Sequence, residues 1–217
     1  MNNLLVQYFD EYGQDKENIY SIIENRLNFG AYQLLNEKAT NDIVKYSKED
    51  FIKIFNNLYS TQRQSVYNDL VDILNFNENS GLSFLKGIIN KFIRAKHIDI
   101  EQMYQDTRED IKYYSKNIGK KLKFGKGTIL QIAHFCKPEK YPIYNTKSKE
   151  VISYIYKTNV IEENLIEFTN YANEIVGQMK LILESDYSEE KFLNYVHKYR
   201  YVLLDDFIEF AYELIRE

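Results

Sequence analysis

The chain has 217 residues with 28 Lys or Arg against 32 Asp or Glu, a formal charge of −4, and is long enough to bury a sizeable core as one large domain or two small ones. Its lone cysteine, Cys136, excludes an internal disulfide framework and a four-cysteine iron–sulfur cluster, and three scattered histidines (His97, His134 and His197) argue against a structural zinc site. No apolar run approaches membrane-spanning length and the start, Met1 to Asp10, lacks signal-peptide features, so a cytoplasmic chain with no membrane association, metal or cofactor is expected.

Two prolines and eight glycines, with apolar residues recurring at three- and four-residue steps, predict an all-α protein. Residues 17–37 read as one or two short helices. Ser47 opens the next with a hydroxyl cap and an acidic first turn, and Phe51, Ile54, Phe55 and Leu58 share its apolar face. Gln62 to Leu74 repeats the pattern through Val66, Leu70, Ile73 and Leu74. A polar break from Asn75 to Gly81 precedes a largely buried helix carrying Leu82, Phe84, Leu85, Ile88, Ile89, Phe92 and Ile93. A more polar helix from Asp99 to Lys116 leads into a basic turn. Thr128 to Cys136, Ser148 to Tyr156, about Glu162 to Leu183, and Ser188 to the end complete the helical reading. No linker, repeat or low-complexity tract divides the chain, so one α-helical domain over 1–217, of one or two lobes, is expected.

Charge is distributed unevenly along these elements. Between Lys86 and Lys149 there are 15 Lys or Arg against 6 Asp or Glu, whereas the rest of the chain holds 13 basic against 26 acidic residues. An acidic chain that gathers its positive charge in one region is arranged for one anionic surface, with nucleic acid as the first candidate. The basic run Lys116, Lys120, Lys121, Lys123 and Lys126 surrounds two glycines, Gly125 and Gly127, just ahead of an amphipathic helix. Glycine lets the backbone approach a phosphate closely, and the N–H groups of a helix N-terminus point toward it.

In the helix after this turn Ile129, Leu130, Ile132, Ala133, Phe135 and Cys136 form a broad apolar face. Thr128, Gln131 and His134 recur at three-residue steps on the other side, as a polar stripe expected to be open to a groove. Taken as single residues, a solvated stripe, a surface histidine and solubilising lysines are the plain alternatives. Density of charge beside paired glycines favours phosphate contact by Lys120, Lys121, Lys123, Gly125, Lys126, Gly127, Thr128, Gln131 and His134.

The segment Phe124-Gly125-Lys126-Gly127, the helix Ile129 to Cys136 and the turn Pro142-Ile143-Tyr144-Asn145-Thr146 together resemble the helix-hairpin-helix superfamily of base-excision DNA glycosylases. Members of that family carry an apolar-Pro-Gly-apolar-Gly hairpin, an amphipathic helix and then a Pro-Ile-x-x-Asp-Thr-like segment whose Asp is the catalytic carboxylate. The resemblance covers a hairpin motif at about 116–150, and the C-terminal stretch from Tyr199 to Tyr212 is similar to the closing helix of small glycosylase-like domains, some attached to bacterial restriction proteins. It implies a double-stranded DNA partner and recognition of damaged or modified DNA, as in DNA repair or phage defence. An extruded base would need an aromatic pocket, for which Phe124, Tyr141 and Tyr144 are the candidates beside their plain reading as core.

Two departures bear on chemistry. The hairpin lacks its proline and carries Lys126 where an apolar residue is usual, and the aligned position of the family's lyase lysine falls near Ile129. More consequentially, Asn145 stands at the position of the catalytic Asp. A carboxylate stabilises the positive charge developing on the sugar because it is an anion, and an amide has no charge to offer. Base excision therefore needs another carboxylate, such as Asp106, Asp205 or Asp206. The expectations are an excising enzyme, a non-catalytic DNA-recognition module of a restriction or phage-defence system, or a protein-interaction domain that docks an acidic partner on its basic face.

Overall fold

The computed structural model describes residues 2–35, 43–58, 63–94, 99–158 and 164–216, and among them every regular element is an α-helix or a 3-10 turn and no strand forms. The helices are α1 (Asn2–Tyr12), α2 (Lys16–Leu27), α3 (Gly30–Leu35), a 3-10 turn (Ile43–Lys45), α4 (Lys48–Asn56), α5 (Arg63–Phe76), α6 (Glu78–Arg94), α7 (Ile100–Asn117), α8 (Lys126–Cys136), α9 (Thr146–Tyr156), α10 (Leu165–Asp186), α11 (Glu190–Lys198) and α12 (Arg200–Leu214). The all-α class follows as the composition predicts. His97, the ends of the expected first helical segment at 36–37, and the expected helix starts at Gln62 and Glu162 lie outside the described residues.

Local chemistry places the helix starts. Asp15 caps α2 by accepting the Glu17 N–H, and Asp99 caps α7 by accepting those of Glu101 and Gln102. Ser47 and Asp50 close a reciprocal capping box at the start of α4, the acidic first turn that the sequence announces. The expected break from Asn75 to Gly81 is far shorter: α5 and α6 are separated by Asn77 alone, and Gly81 is a buried residue inside α6. A Cβ there would stand 2.7 Å from the Ile73 carbonyl oxygen, so glycine is what lets α6 lie directly against α5.

The chain forms two compact units, one of residues Met1–Asn28 with Pro138–Glu217 and one of Phe29–Lys137. In the first, α12 is the central helix, touching α1, α2, α9, α10 and α11, and it buries Val202, Leu203, Leu204, Phe207 and Ile208. Arg26 of α2 bridges two neighbouring carboxylates of α12, reaching Asp205 and Asp206 at 2.7 Å each, and the Tyr8 hydroxyl of α1 donates to Asp206 at 2.8 Å. Asp205 is wholly buried, and this ion pair and its hydrogen bonds are what make that burial tolerable.

In the second unit α8 packs against α3, α6 and α7 and is buried from Thr128 through Cys136. Phe51, Ile54 and Phe55 of α4, Leu85, Ile88 and Ile89 of α6, and Ile129 and Ile132 of α8 meet in one apolar cluster. This core holds the α7–α8 connection in place.

Candidate functional site

The α7–α8 connection, residues 118–125, is built from its ends inward. Gly119 at φ +68° terminates α7 in the left-handed conformation, with its N–H donating to the Lys116 carbonyl at 3.3 Å and the Lys120 N–H to that of Ser115 at 3.1 Å, a glycine-dependent helix stop. Beyond it the chain alternates. Leu122 and Phe124 are buried, while Lys121, Lys123 and Gly125 face solvent. Two carboxylates of α5 fasten this strip from beneath: Asp69 accepts the Lys123 backbone N–H and Asp72 pairs with the Lys120 ammonium. Burial pushes the Asp69 carboxyl up, against the downward pull of the Lys123 N–H and the nearby lysine charges. Ser115 completes the fastening by accepting the Leu122 N–H at 2.8 Å.

The fastened strip and α7 enclose an open cleft of about 680 Å³. Its walls carry Arg108, Lys112 and Lys116 from α7 and Lys120, Lys121 and Lys123 from the strip, with no carboxylate among the described residues that line it. Arg108, Lys112 and Lys116 recur every four residues, so they stand about 6 Å apart in a row along one face of α7. All six are exposed. Among the described residues Lys120 is the one of the six held in an ion pair, with Asp72, so the row on α7 together with Lys121 and Lys123 sets the cleft's potential. The sequence marks the strip's lysines but not the contribution of Arg108 and Lys112. Their four-residue register with Lys116 is the signal that finds them.

Gly125 is the N-cap residue of α8 and, being glycine, supplies no side-chain cap of its own. Lys126 and Gly127 are half-buried, and the Lys126 ammonium lies over the Tyr104 ring at 5.4 Å. The half-buried lysine is thus accommodated by an aromatic face.

The polar stripe of α8 is not open to a groove. Thr128, Gln131 and His134 are all buried, His134 completely, and the Tyr32 hydroxyl of α3 is hydrogen-bonded to His134 Nε2 while the Tyr32 ring packs edge-on to His134 and Phe135. These three side chains are therefore interior and none of them lines the cleft, and the reason is tertiary: α3 brings a tyrosine onto a histidine 102 positions away. Gln131 Oε1 is buried with no hydrogen-bond partner among the described residues.

Of the expected base-pocket residues, Phe124 belongs to the second unit and is buried with its ring 5.4 Å from that of Phe55. Tyr141 and Tyr144 belong to the first unit and are buried, Tyr144 edge-on to Phe168 at 4.8 Å. All three occupy core positions. Asn145, also buried, is the N-cap of α9: its side-chain oxygen accepts the Ser148 N–H and the Ser148 hydroxyl accepts the Asn145 N–H. The alternative carboxylates are engaged elsewhere, Asp205 and Asp206 with Arg26 and exposed Asp106 with the Gln102 amide at 2.7 Å.

No helix among the described residues is long and apolar enough to cross a membrane, and none of their His, Cys, Asp and Glu side chains group in threes as a metal would require. Comparison of the chain with protein-family models, with curated proteins and with solved structures finds no match.

Proposed function

We propose that the chain is a DNA-binding protein that grips the phosphate backbone in the cleft between α7 and residues 118–125. The observation that carries this reading is a lining of six cations without a carboxylate, three of them spaced in a row on one helix, in a chain whose overall charge is negative. A general solubilising role would scatter lysines among acids, as the rest of this chain does. Concentrated in a concave strip they raise the local concentration of a polyanion.

The resemblance of Phe124 to Thr146 to the glycosylase hairpin and its following segment supports recognition of damaged or modified DNA by a descendant of that fold, as in a restriction or phage-defence module. Binding without excision is favoured over a glycosylase reaction. Asn145 carries no charge to stabilise an oxocarbenium-like sugar, and its side-chain oxygen is already committed to the Ser148 N–H.

The test is binding of the purified protein to short duplexes, unmodified and carrying a panel of damaged or modified bases, at two salt concentrations, with products checked by alkali for abasic sites. Salt-sensitive binding with no alkali-labile product is the expected result. Abasic sites in the product would restore the enzyme, and absence of binding even at low salt would pass the basic face to an acidic protein partner.

A further inference from the structure

The opposite flank of α7 carries a second cleft of different chemistry. It has a volume of about 490 Å³ and is floored and walled by Phe76, Phe84, Tyr113 and Tyr114. Two of these rings are conspicuously open to solvent, Tyr113 at 71% and Phe76 at 59% exposure. The other two are layered flat on one another, Phe84 on Tyr114 with centroids 4.2 Å apart and planes within 10°. The Tyr114 hydroxyl is buried with no hydrogen-bond partner among the described residues. At the rim Lys91 is ion-paired with Asp110, and Ser80, Ser83 and Asn117 add neutral hydrogen-bonding groups. An exposed large aromatic costs solubility, and two lining one cleft call for a partner that covers them.

Both clefts belong to the unit of residues 29–137 and share α7 as their common wall. Along that helix Lys112 and Lys116 face the cation cleft, while Tyr113 and Asn117, the residues that directly follow them, face the aromatic one. A cation and an aromatic ring are thus presented side by side on the solvent ridge of one helix. This is the pairing that single-stranded nucleic acid uses, phosphates on Lys or Arg and bases stacked on aromatic faces. A paired duplex can occupy the cation cleft through its backbone, but its bases are stacked on each other and offer no face to Tyr113.

We infer that the aromatic cleft receives an unpaired base from a strand whose phosphates lie in the cation cleft, which makes the protein selective for DNA that contains unpaired nucleotides. Because an α-helix with side chains is about 10–12 Å across, the strand crosses the α7 ridge over Lys112 and Lys116 and delivers a base a few nucleotides from the bound phosphates. This rests on the phosphate-binding reading above, and it adds to it the feature of DNA that is recognised. The rim's neutral donors and acceptors suit the edge of a heterocycle, and the mixed-sign Lys91–Asp110 pair gives the cleft no net charge to attract a second phosphate.

The test uses the full chain and a fluorescently labelled duplex in two forms, fully paired and carrying a short run of unpaired nucleotides in one strand, with binding read by anisotropy. Wild type is expected to bind the interrupted duplex at least about tenfold more tightly than the paired one, the scale of stacking one base on an aromatic ring. Tyr113→Ala combined with Phe76→Ala, both at exposed positions, is expected to abolish that preference and to leave paired-duplex affinity within about twofold. Tyr113→Phe, which keeps the ring, is expected to retain the preference, and thermal unfolding of each variant verifies that it is folded. Equal wild-type binding to the two duplexes, with steep salt dependence preserved, would overturn this inference and leave the phosphate reading intact. An equal loss on both duplexes in the folded double variant would also overturn it. Loss of all salt-sensitive binding in the wild type would overturn the phosphate reading itself.

Discussion

Asn145 and Ser148 hold each other: the Asn145 side-chain oxygen accepts the Ser148 N–H at 2.8 Å, and the Ser148 hydroxyl oxygen accepts the Asn145 N–H at 2.9 Å. Asn145 is thus the structural start of α9. Removing the cap with Asn145→Ala should cost about 1 kcal/mol, because a buried helix start loses its acceptor. Asn145→Asp should be close to neutral, since Asp caps equally well and its charge is favourable at a helix N-terminus. Urea unfolding of the two variants separates them, and equal destabilisation by Ala and Asp would show that the cap is not what Asn145 contributes.

The buried Arg26–Asp205–Asp206 cluster predicts a much larger effect. Arg26→Ala strands the fully buried Asp205 without its cation, a loss of about 3–5 kcal/mol. Asp206, partly exposed and also served by Tyr8, should tolerate Asp206→Asn better than Asp205 tolerates Asp205→Asn. Denaturant midpoints for the three variants test this order.

Alkali should weaken the fold. Burial, then the charge and hydrogen bond of Asp206, holds the Tyr8 hydroxyl well above its ordinary value, against the pull of Arg26. Burial likewise raises Tyr156 and Tyr195, helped by Glu174 and Glu24 respectively. Each keeps its proton in the folded state when the unfolded chain has released it, so the unfolded state binds fewer protons and stability declines as pH rises beyond about 10. The contribution is complete below the unfolded value and is lost as pH climbs toward the folded one. Tyrosinate absorbance during an alkaline titration should show part of the 20 tyrosines ionising only with unfolding, and Tyr8→Phe should shallow the decline.

Two glycines give opposite expectations. At Gly81 an added Cβ meets the Ile73 carbonyl oxygen at 2.7 Å, and backbone does not yield cheaply, so Gly81→Ala should destabilise by about 1–3 kcal/mol. Gly177 lies within the long helix α10 and a Cβ there meets nothing within 4 Å, so Gly177→Ala should stabilise by about 1 kcal/mol. Thermal unfolding of the pair checks both signs.

The helical class is legible because few breakers and repeated three- and four-residue apolar steps leave little else for the chain to form, and caps such as Ser47 with Asp50 are local chemistry. What local spacing does not carry is partnership across the chain. The α8 stripe of Thr128, Gln131 and His134 has the pattern of a solvated face, and only the arrival of Tyr32 shows it to be interior. Gly81 resembles a loop residue until α5 is seen lying against it. The helix α1 has apolar residues at Leu5, Tyr8 and Phe9 whose partners in α12 are about two hundred positions away, so nothing nearby in sequence calls for it. In the cation cleft the strip's lysines are visible as a run, whereas Arg108 and Lys112 join them only through the helical register of α7.

Phosphate binding in the cleft between α7 and residues 118–125 is tested by the salt dependence of duplex binding for wild type and for Lys112→Glu/Lys116→Glu/Lys121→Glu. Four or so phosphate contacts predict a slope of log affinity on log salt of roughly −3 to −5, and the triple variant should bind at least about tenfold more weakly with a slope shallower by about 2–3, irrespective of duplex sequence. A wild-type affinity that does not change with salt, or a folded triple variant with the wild-type slope, would contradict it.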